Sequence, residues 1–137
     1  MNLRPLVALA AVLASATALS ADAPKGPTLR QLMQDLGGNG QRIAVAIGKE
    51  NWSLVADTAA EIAAHPKLPE AEEQRIKGLL GADYDKFEVL DEATHKAALA
   101  LADTAKKGEG HAVIDDYAKL QHACFACHLA FRKRVHP

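Results

Sequence analysis

Apolar residues recur at three- and four-residue steps in four separate stretches of this chain, the period of an amphipathic helix. The first stretch runs from about Thr28 to Ile47. Leu29, Leu32, Met33, Leu36, Ile43 and Ile47 form its stripe, Gly40 falls in the same series, and Thr28 is placed to cap its start. Gly37-Gly38-Asn39-Gly40 weakens the pattern, because each glycine costs about 1 kcal/mol against alanine inside a helix. Two readings are open: a break into two short helices, or a continuous helix whose small residues let it approach something bulky. Gly37 lies one turn past Met33, on the same face.

The second stretch runs from Asn51, a capping residue, to about Ala64, with Trp52, Val55, Ala59 and Ile62 on its face. His65-Pro66 ends it, since the residue before proline avoids helical geometry. Pro66 to about Ala82 is expected to be a long loop across an end of the fold, with a short turn over Glu70–Leu80. The third stretch, about Asp83 to Lys107, carries Phe87, Leu90, Thr94, Ala97, Ala98 and Leu101, and Gly108 stops it after two lysines. The fourth, about Gly110 to Val135, carries Val113, Tyr117, Leu120, Cys124, Cys127 and Phe131. At ~1.5 Å per residue it is nearly 40 Å long, enough to span a bundle. No strand pattern or internal repeat competes. Four such stripes predict an all-α fold, an antiparallel four-helix bundle. None of the helices is secure in water on propensity alone, so packing around a shared core must hold them.

The front of the chain differs in composition. Arg4 precedes an apolar run from Leu6 to Leu19, followed by small residues, which is the pattern of a secretory signal peptide. The run is shorter than the ~20 apolar residues a membrane span requires. Cleavage after Ala18 follows a good Ala-x-Ala; cleavage after Ala21 yields a cleaner polar start and is the boundary adopted here. The expected division is thus a signal peptide over 1–21 and one domain over 22–137, exported to the periplasm without stable membrane association. Removal of 1–21 takes Arg4 from the 16 Lys and Arg and nothing from the 17 Asp and Glu, leaving a net charge of about −2. That is no signature of nucleic-acid binding.

Export changes the meaning of the two cysteines, Cys124 and Cys127, which are followed directly by His128. Cys-x-x-Cys-His is the attachment pattern of haem c: two thiols add across two vinyl groups, and the histidine ligates the iron. On a helix, 124 and 127 lie one turn apart and 128 projects on nearly the same side as 124. Three other readings remain. A dithiol redox pair would want a βαβ setting, whereas the surroundings here read as helical. A structural zinc site needs about four ligands; Cys124, Cys127 and His128 offer three, and His122 points elsewhere on a helix. A plain disulfide or thiol pair is the last. An oxidising compartment exposes free thiols to pairing or modification; covalent haem consumes both. With aromatics at only 4% of the chain, a haem would also add a large apolar body to an alanine-rich interior.

The whole region after the signal peptide resembles the class II c-type cytochromes, which include cytochrome c-prime and its low-spin relatives. The most specific element is Cys124-Phe125-Ala126-Cys127-His128-Leu129-Ala130-Phe131-Arg132, similar to that family's Cys-x-x-Cys-His-x-x-aromatic-Arg ending. In class I cytochromes c the motif lies near the other end of the mature chain. LMQDLG and AIGKE in the first helix resemble the low-spin branch, whose ligand methionine falls where Met33 stands. The resemblance therefore implies one covalent haem c, with His128 and Met33 as axial ligands and Arg132 near the proximal face, in reach of a propionate. The residue-based alternatives are a gap-filling core methionine and an Arg132 that only favours the helix C-terminus with Lys133 and Arg134.

The function this implies is single-electron transfer in the periplasm through a six-coordinate His/Met haem. The alternative is a five-coordinate haem, as in cytochrome c-prime, that binds nitric oxide or carbon monoxide. No enzyme is expected: no nucleophile–base set emerges, and the adjacent pairs Glu72-Glu73 and Asp115-Asp116 read as solvated. His65, His95, His111, His122 and His136 are expected to be mostly exposed rather than bound, with His65 or His95 replacing Met33 only if the helices pack differently. The expected partners are redox proteins, steered by the basic run Arg132-Lys133-Arg134 if they are acidic. The family implies a monomer or a homodimer paired through the first two helices.

Overall fold

Local capping starts the first helix where its sequence predicts. The computed structural model describes residues 26–135; the signal peptide read over 1–21 and His136 lie outside the described residues. Helix α1 spans Leu29–Gly48 and opens with a capping box. The Thr28 hydroxyl accepts from the Gln31 N–H at 3.3 Å, while the Gln31 side-chain oxygen accepts from the Thr28 N–H at 2.8 Å. α1 runs unbroken through Gly37-Gly38-Asn39-Gly40. Leu29 and Leu32 are buried on one side of that cluster and Ile43 and Ala46 on the other, so tertiary packing outweighs the poor propensity between them.

A three-residue turn leads to α2 (Trp52–Ala63), capped by Asn51, whose Oδ1 accepts from the Leu54 N–H at 3.1 Å. Next comes α3, Glu70–Leu80, a full three-turn helix where the sequence suggested only a short turn within a loop. Glu70, Glu72 and Glu73 suit its N-terminal end and Lys77 its C-terminal end. Its deeper cause is tertiary: Ile76 and Leu80 are buried against Leu29, Phe131 and Val135, across one end of the fold. Glu72 is buried rather than solvated. Its carboxylate accepts the Leu29 N–H at 2.9 Å and holds Arg75 in a fork of two 2.8 Å contacts, so α3 satisfies an orphan donor at the start of α1. A short 3-10 turn, Gly81–Asp83, leads into α4 (Tyr84–Lys107), which ends at Gly108 with φ of 72°. The last helix, α5, spans Gly110–Val135. A Cβ at Gly110 would lie 3.2 Å from the Trp52 ring, so glycine lets α5 begin against α2.

Among the described residues the chain is all-helical, with no strand. α1, α2, α4 and α5 form a bundle. Neighbours pair in opposite senses: Thr104 meets Asp116 near one end of the α4–α5 seam, and Phe87 meets Phe131 near the other. Likewise His65 meets His95 at one end of α2–α4, and Trp52 meets Gly108 at the other. α2 packs chiefly on α4, α4 on α5 and α1 on α2; the α1–α5 seam is the loosest side. The core divides in two. One cluster centres on Ile43, Val55, Ala59, Ile62, Leu101, Val113 and Leu120, the other on Leu29, Ile76, Leu80, Phe131 and Val135. No described helix is long and apolar enough to cross a membrane.

Candidate functional site

The α5 stripe turns Tyr117, Leu120, Cys124 and Cys127 inward, while Phe125 and Leu129 between and beyond them are exposed. The inward series does not simply continue the core. Cys124 packs against the first hydrophobic cluster and Cys127 against the second. Where the clusters part there is a cavity of about 310 Å³, within the range of cofactor and ligand sites. α5 lines it with Tyr117, Leu120, Gln121, Cys124, Cys127 and His128. Helix α1 contributes Met33, Leu36, Gly37, Gly40, Gln41 and Ala44, so the glycine cluster and the one methionine of the described region border the same space as the cysteine motif. A Cβ at Gly37 would enter open space. Ile62 and His65, from α2 and the residues after it, and Asp91 and Thr94 of α4 complete the wall.

One polar tie crosses the loose seam: the Tyr117 hydroxyl donates to the Gly40 carbonyl at 2.9 Å. Burial pushes the Tyr117 phenol above its ordinary range. Burial likewise raises the Cys124 thiol, and burial, reinforced by Asp91 and Cys124, pushes Cys127 up to about 11. Both sulfurs are therefore protonated thiols at neutral pH. A dithiol exchange centre requires the reverse, a thiol pKa lowered by positive surroundings, and the geometry here disfavours that reading.

The sequence-predicted residues separate into two groups. Cys124, Cys127, His128 and Met33 all line the one cavity. Arg132 is exposed and is not among the lining residues. Its neighbour Arg134 is tied instead to Asp83 at 2.7 Å and to the Leu80 carbonyl at 3.1 Å, and lies over the Phe131 ring. The basic run is thus partly committed to holding α5 against the turn before α4.

His111 and His122 are exposed, as is His128 of the motif, whereas two other histidines are not. His65 and His95 are half-buried, with Nε2 atoms 2.6 Å apart and rings edge-to-face. Asp91 lies 3.5 Å from one and 3.6 Å from the other. The contact with Asp91 raises the His65 pKa against the opposing effect of burial. Asp91 and His95 are one helical turn apart on α4, and His65 directly precedes the proline that ends α2. The i, i+4 pair was visible in the sequence; that His65 meets it depends on how α2 crosses α4. Comparison of the chain with family models, with curated proteins and with solved structures gave no match.

Proposed function

We propose that this chain is a periplasmic monohaem c-type cytochrome that passes single electrons through a six-coordinate haem. One observation carries the reading: two thiols and an imidazole at Cys-x-x-Cys-His spacing border the same largely apolar cavity as a methionine thioether from another helix. The thiols of Cys124 and Cys127 would each add across a vinyl double bond, sulfur to one carbon and hydrogen to the other, leaving two thioethers. His128 would offer an imidazole nitrogen to the iron and Met33 a thioether sulfur. Leu36, Ile62 and Leu120 would keep water from the centre, and Gly37 and Gly40 leave room on the α1 wall. Tyr117 ties α1 to α5 through Gly40. The haem supplies the one-electron ferric–ferrous couple, with a potential raised by thioether ligation. On this reading the chain is an electron carrier rather than an enzyme, and its partners are redox proteins.

A five-coordinate, gas-binding haem is the second reading, and the open space beside Gly37 favours it, because a diatomic ligand needs room near Met33. One preparation tests both. The mature protein, made in a host equipped for cytochrome maturation, is expected to carry the mass of one covalent haem. Its ferric spectrum is expected to be low-spin with a weak far-red sulfur-to-iron band. High-spin ferric iron that takes up carbon monoxide on reduction would select the second reading. Bare thiols or a cystine would remove both.

A further inference from the structure

Three side chains outside the cysteine motif converge as metal ligands do. His65 Nε2, His95 Nε2 and a carboxylate oxygen of Asp91 all lie within 4.8 Å of one another. We infer that His65, Asp91 and His95 form a second metal site, for a divalent transition ion such as zinc, at the α2–α4 edge of the cavity. The inference does not rest on the haem reading.

The distances suit the chemistry. Around a tetrahedral ion with bonds of about 2.0–2.1 Å, neighbouring ligand atoms lie about 3.3 Å apart. Asp91 Oδ1 stands 3.5 Å from His65 Nε2 and Asp91 Oδ2 stands 3.6 Å from His95 Nε2, and a single carboxylate oxygen lies within 4.8 Å of both nitrogens. The nitrogens are 2.6 Å apart and must part by about 0.7 Å to admit the ion. Small side-chain rotations supply this, since Asp91 and His95 share one face of α4 and His65 approaches from another element.

An independent observation fixes the ligand state. His65 Nδ1 lies 3.1 Å from the Pro66 carbonyl, which can only accept, so Nδ1 carries the proton and donates. In the neutral imidazole, the form a metal requires, that leaves the Nε2 lone pair facing His95 and Asp91. An outer hydrogen bond from the far ring nitrogen to a carbonyl is the usual support of a metal-ligating histidine. Without metal, the His95 Nε2–H donates to His65 Nε2; metal binding at Nε2 requires that proton to pass to His95 Nδ1, the other neutral tautomer, which leaves two neutral imidazoles and a carboxylate with no net proton change. Two nitrogens and one oxygen suit zinc or copper better than calcium or magnesium. The side chains of His65 and His95 are only 11% and 27% exposed, so both imidazoles are held rather than free on the surface, while Asp91 is 41% exposed. His65 and Asp91 also line the cavity.

Zinc titrated into the mature protein, with any free thiols alkylated first, tests this by calorimetry. One equivalent is expected to bind and to raise Tm. Asp91→Asn, which keeps size and shape, is expected to weaken binding at least about tenfold. His95→Gln is expected to abolish both the heat and the Tm rise, whereas His122→Ala, at an exposed position on α5, keeps both. Failure of the wild type to take up zinc would overturn the site, as would undiminished binding in the His65→Ala, His95→Gln double variant. A haem spectrum altered by His65→Ala or His95→Gln, with zinc binding intact, would also overturn it by making the imidazole an iron ligand. Mass spectrometry of the same sample reports the haem adduct separately, so the two readings fail independently.

Discussion

Thr58 is fully buried on α2, and its hydroxyl oxygen has no hydrogen-bond partner. A hydroxyl buried without a partner costs roughly 1–3 kcal/mol, and valine has nearly the same shape. Thr58→Val is therefore expected to stabilise the protein by about 1 kcal/mol, read as a rise in the urea midpoint with unchanged slope. Met33 is the opposite case, a residue whose removal should cost function more than stability, because it is half-buried at the cavity edge rather than in the core. Met33→Ala is expected to leave the helical circular dichroism intact and yield a five-coordinate haem that binds carbon monoxide. An unchanged visible spectrum would remove Met33 from the iron. The inward positions of Cys124 and Cys127 were legible from the stripe through Val113 and Leu120. Glu72 was not: a glutamate beside another glutamate reads as solvated until the start of α1 and Arg75 are seen to meet it.

Elements were legible where their signals are local. The Thr28 cap, the Asn51 cap and the stop at Gly108 depend on residues within a turn of themselves, and each acts as its sequence predicts. α3 was misread because Gly78 within it and Pro66 and Pro69 before it are local signs of a loop, while the burial of Ile76 and Leu80 comes from α1 and α5. The α4–α5 pairing offers a test at this scale. Asp116 accepts from Lys119 at 2.7 Å and from the Thr104 hydroxyl at 2.6 Å, and these contacts, Lys119 first, hold its carboxyl below the ordinary value near 3.8. A carboxyl depressed by folding stabilises the native state above its unfolded value, and that contribution is lost as pH falls through the folded value. Asp116→Asn is expected to be less stable than wild type at neutral pH. The difference should shrink to near zero well below pH 3.8, as measured by urea unfolding across the acid range.

At the scale of the whole molecule, the two hydrophobic clusters and the loose α1–α5 seam are one feature. The helices close tightly through α2 and α4 and part around the cavity. A haem bonded to α5 and ligated by α1 would bridge that seam. In the Cys124→Ser, Cys127→Ser double variant, produced without covalent haem, amide exchange over residues 33–44 is expected to quicken about tenfold or more, with α2 and α4 changing least. Equal exchange in both forms would mean that the cofactor does not close the seam.

What the sequence determined by itself was whatever rests on short range: four amphipathic helices with their caps, and a cysteine pair on the inward stripe of the last one, followed by a histidine. Periodicity and capping are properties of neighbouring residues, so no tertiary information was needed. Only the folded molecule decided that α1 stays whole across its glycines, that α3 is a helix, and that Met33 shares a cavity with His128. Only the fold brought His65 to Asp91 and His95. Those outcomes depend on packing between residues tens of positions apart, where burial outweighs local propensity and no spacing in the chain records which faces meet.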